Sequence, residues 1–154
     1  MSIKKRYVSF LENLDNISVP RDMKIKYILD LLRKEFPKYS WVGIYVLKGE
    51  KLELLSFSGD KETEHKIIPV DKGLCGMAVR ENRIVNVYDV TSNPTYLQCF
   101  PETKSELVVP IYKDGKIIGE IDIDSYELGA FDKNDEWFVS KLGEKIADII
   151  YEYI

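Results

Sequence analysis

The apolar positions of the chain recur with two different periods. Ile25, Ile28, Leu29, Leu32 and Phe36 fall at helical spacing. Ser18-Val19-Pro20 opens this helix, with Ser18 as the cap and Pro20 in the first turn, and Pro37 stops it. Ile3 to Leu14 reads as a shorter amphipathic helix. Near the other end Asp132 reads as an N-cap with Asp135 three residues on, and Phe138, Leu142, Ile146, Ile149 and Tyr153 make one stripe. Between these helices the pattern changes to strands. "SWVGIYVL" and "LELLSFS" flank Gly49-Glu50-Lys51 as a hairpin, "HKIIPV" is a third strand, and "IVNVYDV" contains a brief one. "LCGMAVREN" reads as a short helix, and Tyr88 to Thr103 as an irregular loop.

Helices, a β-rich middle with one inserted helix, then a final helix predict an α+β fold: a mainly antiparallel sheet with helices packed on one face. The 154 residues read as a single domain, with N-terminal helices over 1–36, the sheet region over 40–125 and the C-terminal helix over 132–153. Hydrophobic residues make up 45% of the chain, enough for a real core. A net charge of −4 gives no electrostatic reason to expect nucleic acid or an anionic membrane. No apolar run is long enough to span a bilayer, and the N-terminus has no secretory h-region, so the cytoplasm is expected. Two cysteines are too few for a secreted disulfide framework. They are either small buried hydrophobes or a redox pair. Cys75 sits at a helix start, where a thiolate is favoured.

"SELVVPIYKDGKIIGEIDIDS" is a second hairpin. A two-residue Asp-Gly turn would put Leu107 opposite Asp122 and mix its faces. A three-residue loop with a bulge at Gly115 instead pairs Tyr112 with Lys116, Val109 with Gly119 and Leu107 with Ile121, which keeps the faces apart. Glu106 then lies opposite Asp122, with Asp124 two residues along on the same face and Lys104 across from Asp124. Like charges across a ladder oppose pairing. Either water solvates this face, or the three carboxylates converge on a cation. A ligand ammonium suits them better than a metal, since no histidine lies in the stretch.

The chain resembles the GAF domains, and among them the free methionine-(R)-sulfoxide reductases. "WVGIYVL" is similar to that family's W-V-G-F-Y strand, "KGLCG" to its G-V-C-G element and "CFPETKSELVVP" to its C-x6-S-E-I-V-V-P segment. "GEIDIDS" resembles G-V-L-D-I-D-S, and "FDKNDEWF" resembles F-D-x-x-D. The resemblance implies a GAF-like fold with a ligand pocket on the sheet face opposite the helices. It implies Cys99 as the catalytic thiol and Cys75 as a second redox-active thiol. Glu106, Asp122 and Asp124 would hold the substrate amino group and help protonate the sulfoxide oxygen. Trp41 and Tyr45, core aromatics on a reading of the residues alone, would line the pocket. The implied reaction reduces free L-methionine-(R)-sulfoxide through a sulfenic acid and an intramolecular disulfide. No bound cofactor or metal is expected; a thioredoxin-type dithiol would be the external reductant, and a homodimer is expected. The alternative is a non-catalytic GAF module that binds a small amine-bearing ligand or senses redox state. His65, the single histidine, stands where the family places a third cysteine. It reads either as a half-exposed strand residue or as a ligand or acid–base group, and it cannot form a disulfide.

Overall fold

The computed structural model describes residues 1–98 and 100–154. Four α-helices and six strands follow in the order α1 (Ile3–Asn13), α2 (Arg21–Glu35), β1 (Trp41–Lys48), β2 (Lys51–Ser58), β3 (Ile67–Pro69), α3 (Gly73–Glu81), β4 (Val85–Val87), β5 (Ser105–Lys113), β6 (Lys116–Ser125) and α4 (Lys133–Tyr151). The strands form one antiparallel sheet in the order β3-β2-β1-β6-β5-β4. This is the expected α+β architecture.

The helical stripes dock where their spacing predicts. Ile25, Ile28, Leu29 and Leu32 of α2 are buried with Phe138, Leu142 and Ile146 of α4 and with the Val42, Ile44 and Val46 face of β1. Each such side chain contributes about 1.5–3 kcal/mol when fully buried. Asp132 caps α4 and forms the reciprocal box with Asp135. Two details of the helix ends differ from expectation. Pro20, not Ser18, occupies the cap position of α2 and offers no side-chain acceptor. Tyr153 lies past the end of α4 and is exposed, so the stripe stops at Ile150.

The hairpin register also differs. Asp114 and Gly115 form a two-residue turn, both in the left-handed region at φ 52° and 77°, with Lys113 opposite Lys116. Such a turn matches the twist of the strands it joins. The face conflict that argued against it is removed inside β6. Ile118 is an extra residue there, so Tyr112 faces Ile117 while Ile111 faces Gly119. Val109 then meets Ile121, Leu107 meets Ile123, and Glu106 meets Asp124 rather than Asp122.

Three helices cover one sheet face. The other carries a second apolar cluster of Trp41, Tyr45, Leu52, Ile68, Leu74, Cys75 and neighbours, roofed by α3.

Candidate functional site

β6 supplies the acidic face. Strand alternation points Glu120, Asp122 and Asp124 away from the three-helix layer, in successive rows between β1 and β5. Asp124 lies between Trp41 and Glu106, Asp122 between Gly43 and Val108, and Glu120 between Tyr45 and Pro110. The solvated-face reading fails. Relative exposures are 6% for Glu106, 3% for Asp122, 1% for Asp124 and 0% for Glu120. No ion pair among the described residues involves Asp122, Asp124 or Glu120. Lys104 is exposed, and Thr103 Oγ1 takes the place expected for it, 3.5 Å from Asp124 Oδ2.

α3 sets Cys75 over this face. Gly76 permits the approach, since a Cβ there would fall 2.5 Å from the Val70 carbonyl oxygen. The Cys75 sulfur and one oxygen each of Glu106 and Asp122 lie within 4.8 Å of one another. With Ile68, Gly73, Leu74 and Leu97 they line a small, partly open space of about 10 Å³, room for about one water.

The electrostatics follow from burial. Burial pushes Asp122, Asp124 and Glu120 above the ordinary carboxylate range, and the Asp122 charge adds to the rise at Asp124 and Glu120. Glu106 stands in hydrogen-bond reach of both Asp122 and Asp124. Carboxyls that close cannot all ionise, so the cluster retains a proton. Cys75 behaves differently from expectation. Burial drives its thiol well up, and Asp122, Glu120 and Glu106 drive it further. The helix start is outweighed, and the resting Cys75 is a neutral, buried free thiol.

The other expected residues have definite places. Trp41 is buried, stacks on Phe57 at 5.8 Å and donates Nε1 to the Lys61 carbonyl. Gly43 and Gly59 leave room for it, because a Cβ at either would fall 2.2–2.3 Å from its ring. Tyr45 is buried, and its hydroxyl donates to the His65 carbonyl at 2.8 Å. Both aromatics pack in the apolar cluster beside the acidic rows rather than against that small space. His65 is half-buried in a loop, not in a strand, and its Nε2 donates to the Gln98 carbonyl at 3.0 Å. Lys61 and Glu102 tie the same two loops together at 2.6 Å. Cys99, expected to be the catalytic thiol, lies outside the described residues. Glu120 is the member of the acidic face that the sequence reading missed. Its position two residues before Asp122 placed it on that face.

The sequence matches the GAF domain family over residues 25–150. The chain belongs to that family. This GAF domain is 31% identical to the free methionine-R-sulfoxide reductase of Escherichia coli over 142 residues, covering 92% of this chain and 78% of that protein. Among solved structures it is similar to the type II free methionine-R-sulfoxide reductase of Thermoplasma acidophilum. Identity there is 46% and the TM-score 0.84, over 87% of this chain and 94% of that one. It also superposes on the free methionine-R-sulfoxide reductase of Neisseria meningitidis in complex with its substrate, at 26% identity and TM-score 0.85. That match covers 100% of this chain and 95% of that one.

Proposed function

We propose that this GAF domain is an oxidoreductase that reduces free L-methionine-(R)-sulfoxide to methionine. The observation that carries the reading is the buried set of Glu106, Asp122 and Asp124 beneath Cys75, in which Asp122 and Asp124 make no ion pair among the described residues. A substrate ammonium is the cation such a face accepts, and the retained proton is the one a leaving sulfoxide oxygen needs. The relatives' activity supports the same reading. In this mechanism the Cys99 thiolate attacks the sulfoxide sulfur, methionine leaves, and Cys99 becomes a sulfenic acid. Cys75 then condenses with it, releasing water, and an external dithiol of thioredoxin type reduces the disulfide. Trp41 and Tyr45 belong to the apolar cluster beside the acidic rows, on the side where the methylthio end would lie. The expected homodimer belongs to the same reading, and sedimentation tests it.

The deciding experiment incubates the pure protein with each sulfoxide epimer and a dithiol, then quantifies methionine. Turnover of the free (R) epimer is expected, with little of the (S) epimer or of an N-acetylated amide, which lacks the ammonium. Cys99→Ser should abolish methionine formation; Cys75→Ser should give about one methionine per chain and then stall without external thiol. Equal rates on the blocked amide would overturn the ammonium assignment. Binding of methionine without any product would favour the ligand-binding module.

A further inference from the structure

The reaction above uses three of the four carboxyls on the acidic face and leaves Glu120 without a role. Glu120 lies one row deeper than Asp122 and is fully buried. Of its cross-strand neighbours, Pro110 has no polar side chain and Tyr45 turns its hydroxyl to His65. Among the described residues neither Glu120 oxygen completes a well-formed hydrogen bond, although the Cys75 thiol stands within reach. A buried carboxyl without partners opposes folding, and an aliphatic side chain would suit this strand position better. What the carboxyl faces, apart from Asp122, is the sulfur of Cys75.

We propose that Glu120 accepts the Cys75 proton when that thiol closes a disulfide on a sulfenic acid. The inference rests on the reduction proposed above. The Cys75 sulfur attacks the sulfenic sulfur, the S–S bond forms and the S–O bond breaks. The Cys75 proton passes to the Glu120 carboxylate. The departing hydroxyl takes a proton from the Glu106–Asp122–Asp124 cluster and leaves as water, after which Glu120 returns its proton to the cluster. The two electrons gained by the methionine sulfur come from the two cysteine sulfurs.

The resting thiol requires such a base. Cys75 is held neutral by burial and by the carboxylates around it, so its helix position does not ionise it. An ordinary carboxylate is a poor base for a thiol, because their proton affinities differ by about four pKa units. Burial beside Asp122 raises the proton affinity of Glu120 toward that of the thiol, which is the matching that efficient transfer needs. The groups facing Glu120 are Cys75 from α3, Tyr45 from β1 and Asp122 from its own strand, while β5 offers only Pro110. None is a cation that would hold Glu120 ionised at low pH. The step should therefore accelerate as pH rises.

The test generates the sulfenic acid in the full chain by two routes, stoichiometric methionine-(R)-sulfoxide and hydrogen peroxide. Acid-quenched samples are then followed for the Cys75–Cys99 linkage by mass between pH 6 and 9, a working range of about three units around the thiol region. Glu120→Gln, isosteric and neutral, should slow disulfide closure at least tenfold in both arms and flatten its rise with pH, with Glu120→Asp recovering part of the rate. A melting temperature for Glu120→Gln at or above that of the native chain shows that the loss is not misfolding. Closure at the native rate and pH profile in Glu120→Gln overturns the proposal, as does faster closure, which would make Glu120 merely a repelling charge. Absence of the linkage from the native protein in both arms overturns it too. A Glu120-dependent closure with peroxide but none with the sulfoxide supports the proposal and overturns the reductase reading instead.

Discussion

Asp122→Asn separates a ligand-binding carboxylate from a structural one. The substitution keeps the side-chain volume and removes a charge from a residue that is 3% exposed. Oδ1 of Asp122 has no hydrogen-bond partner among the described residues, and the Asp122 carboxyl's contacts run to Glu106 and Cys75, neither of them a cation. Burial raises the Asp122 carboxyl in the folded chain. Between the ordinary carboxylate range near pH 4 and that raised value, the folded chain holds a proton that the unfolded chain has released. The stability contribution is therefore complete below about pH 4 and is lost as pH rises, by up to about 1.4 kcal/mol per pH unit for each such carboxyl. Asp124 and Glu120 act with the same sign. The ligand-free protein should thus melt lower at pH 8 than at pH 5, and Asp122→Asn should reduce that difference. At pH 7 its melting temperature should equal or exceed the native one; each 1 kcal/mol corresponds to about 2–4 °C for a chain of this size. Binding should move oppositely. Loss of one charge-assisted hydrogen bond to an ammonium costs about 1.5–3 kcal/mol, roughly a tenfold or greater loss of affinity. Calorimetric melting from pH 5 to 8 (spanning the window above about pH 4) and titration with methionine and its sulfoxide measure both effects. A melting temperature several degrees lower with unchanged affinity would show that Asp122 is an acceptor the fold depends on, and the ammonium argument would fail.

Two further predictions concern parts of the chain outside the acidic face. Asp135 accepts hydrogen bonds from Tyr7 and Tyr39 at 2.5 Å and pairs with Lys38 at 2.9 Å, joining α1, α4 and the approach to β1. Burial pushes this carboxyl up, but the hydrogen bonds from Tyr39, Tyr7 and Lys38 outweigh it and leave Asp135 below its ordinary range. Its contribution is present above about pH 4 and lost as pH falls through the lowered value. Asp135→Asn should cost about 3 kcal/mol, lower the melting temperature by roughly 6–12 °C and flatten the acid limb of the melting profile; a loss under about 1 kcal/mol would refute the reading. His65→Ala should remove the tie to Gln98 and speed amide hydrogen exchange over residues 96–102 by roughly two- to tenfold, the yield of one net hydrogen bond. Exchange unchanged by the substitution would show that the Lys61–Glu102 pair holds the loop alone.

What was legible in the sequence and what was not divide along a physical line. Local rules held for the stripes and the α4 cap, though not for the α2 cap or the length of the hairpin turn. The α2 and α4 stripes, the Asp132–Asp135 box and the positions of the short strands all follow from spacing and from backbone groups a few residues apart. The Cys75 environment was not legible, because a helix start is a local feature, whereas the carboxylates that override it come from β5 and β6 and meet the thiol only through the sheet. Glu120 was missed for a related reason. Alternation put it on the acidic face, but only the tertiary packing of α3 shows that the face is roofed there and that the carboxyl is shut off from bulk solvent.

The hairpin shows why a wrong register still led to the right site. The expected three-residue loop and the observed two-residue turn with an extra Ile118 are different solutions to one constraint, that Leu107, Val109 and Ile111 share a face with Ile121 and Ile123. They place β6 two residues apart along β5. A shift of two leaves every side chain on its own face, because the strand period is two. The partner of Glu106 therefore changes from Asp122 to Asp124, while the membership of the acidic face does not change at all. Side-chain parity is fixed by the core, which rejects any one-residue slip. Pairing is fixed by turn chemistry and by one bulge, which the core tolerates. A site built from residues that only need to share a face can be read from alternation alone. The spacing within it, which decides which two carboxyls share a proton, had to come from the structure.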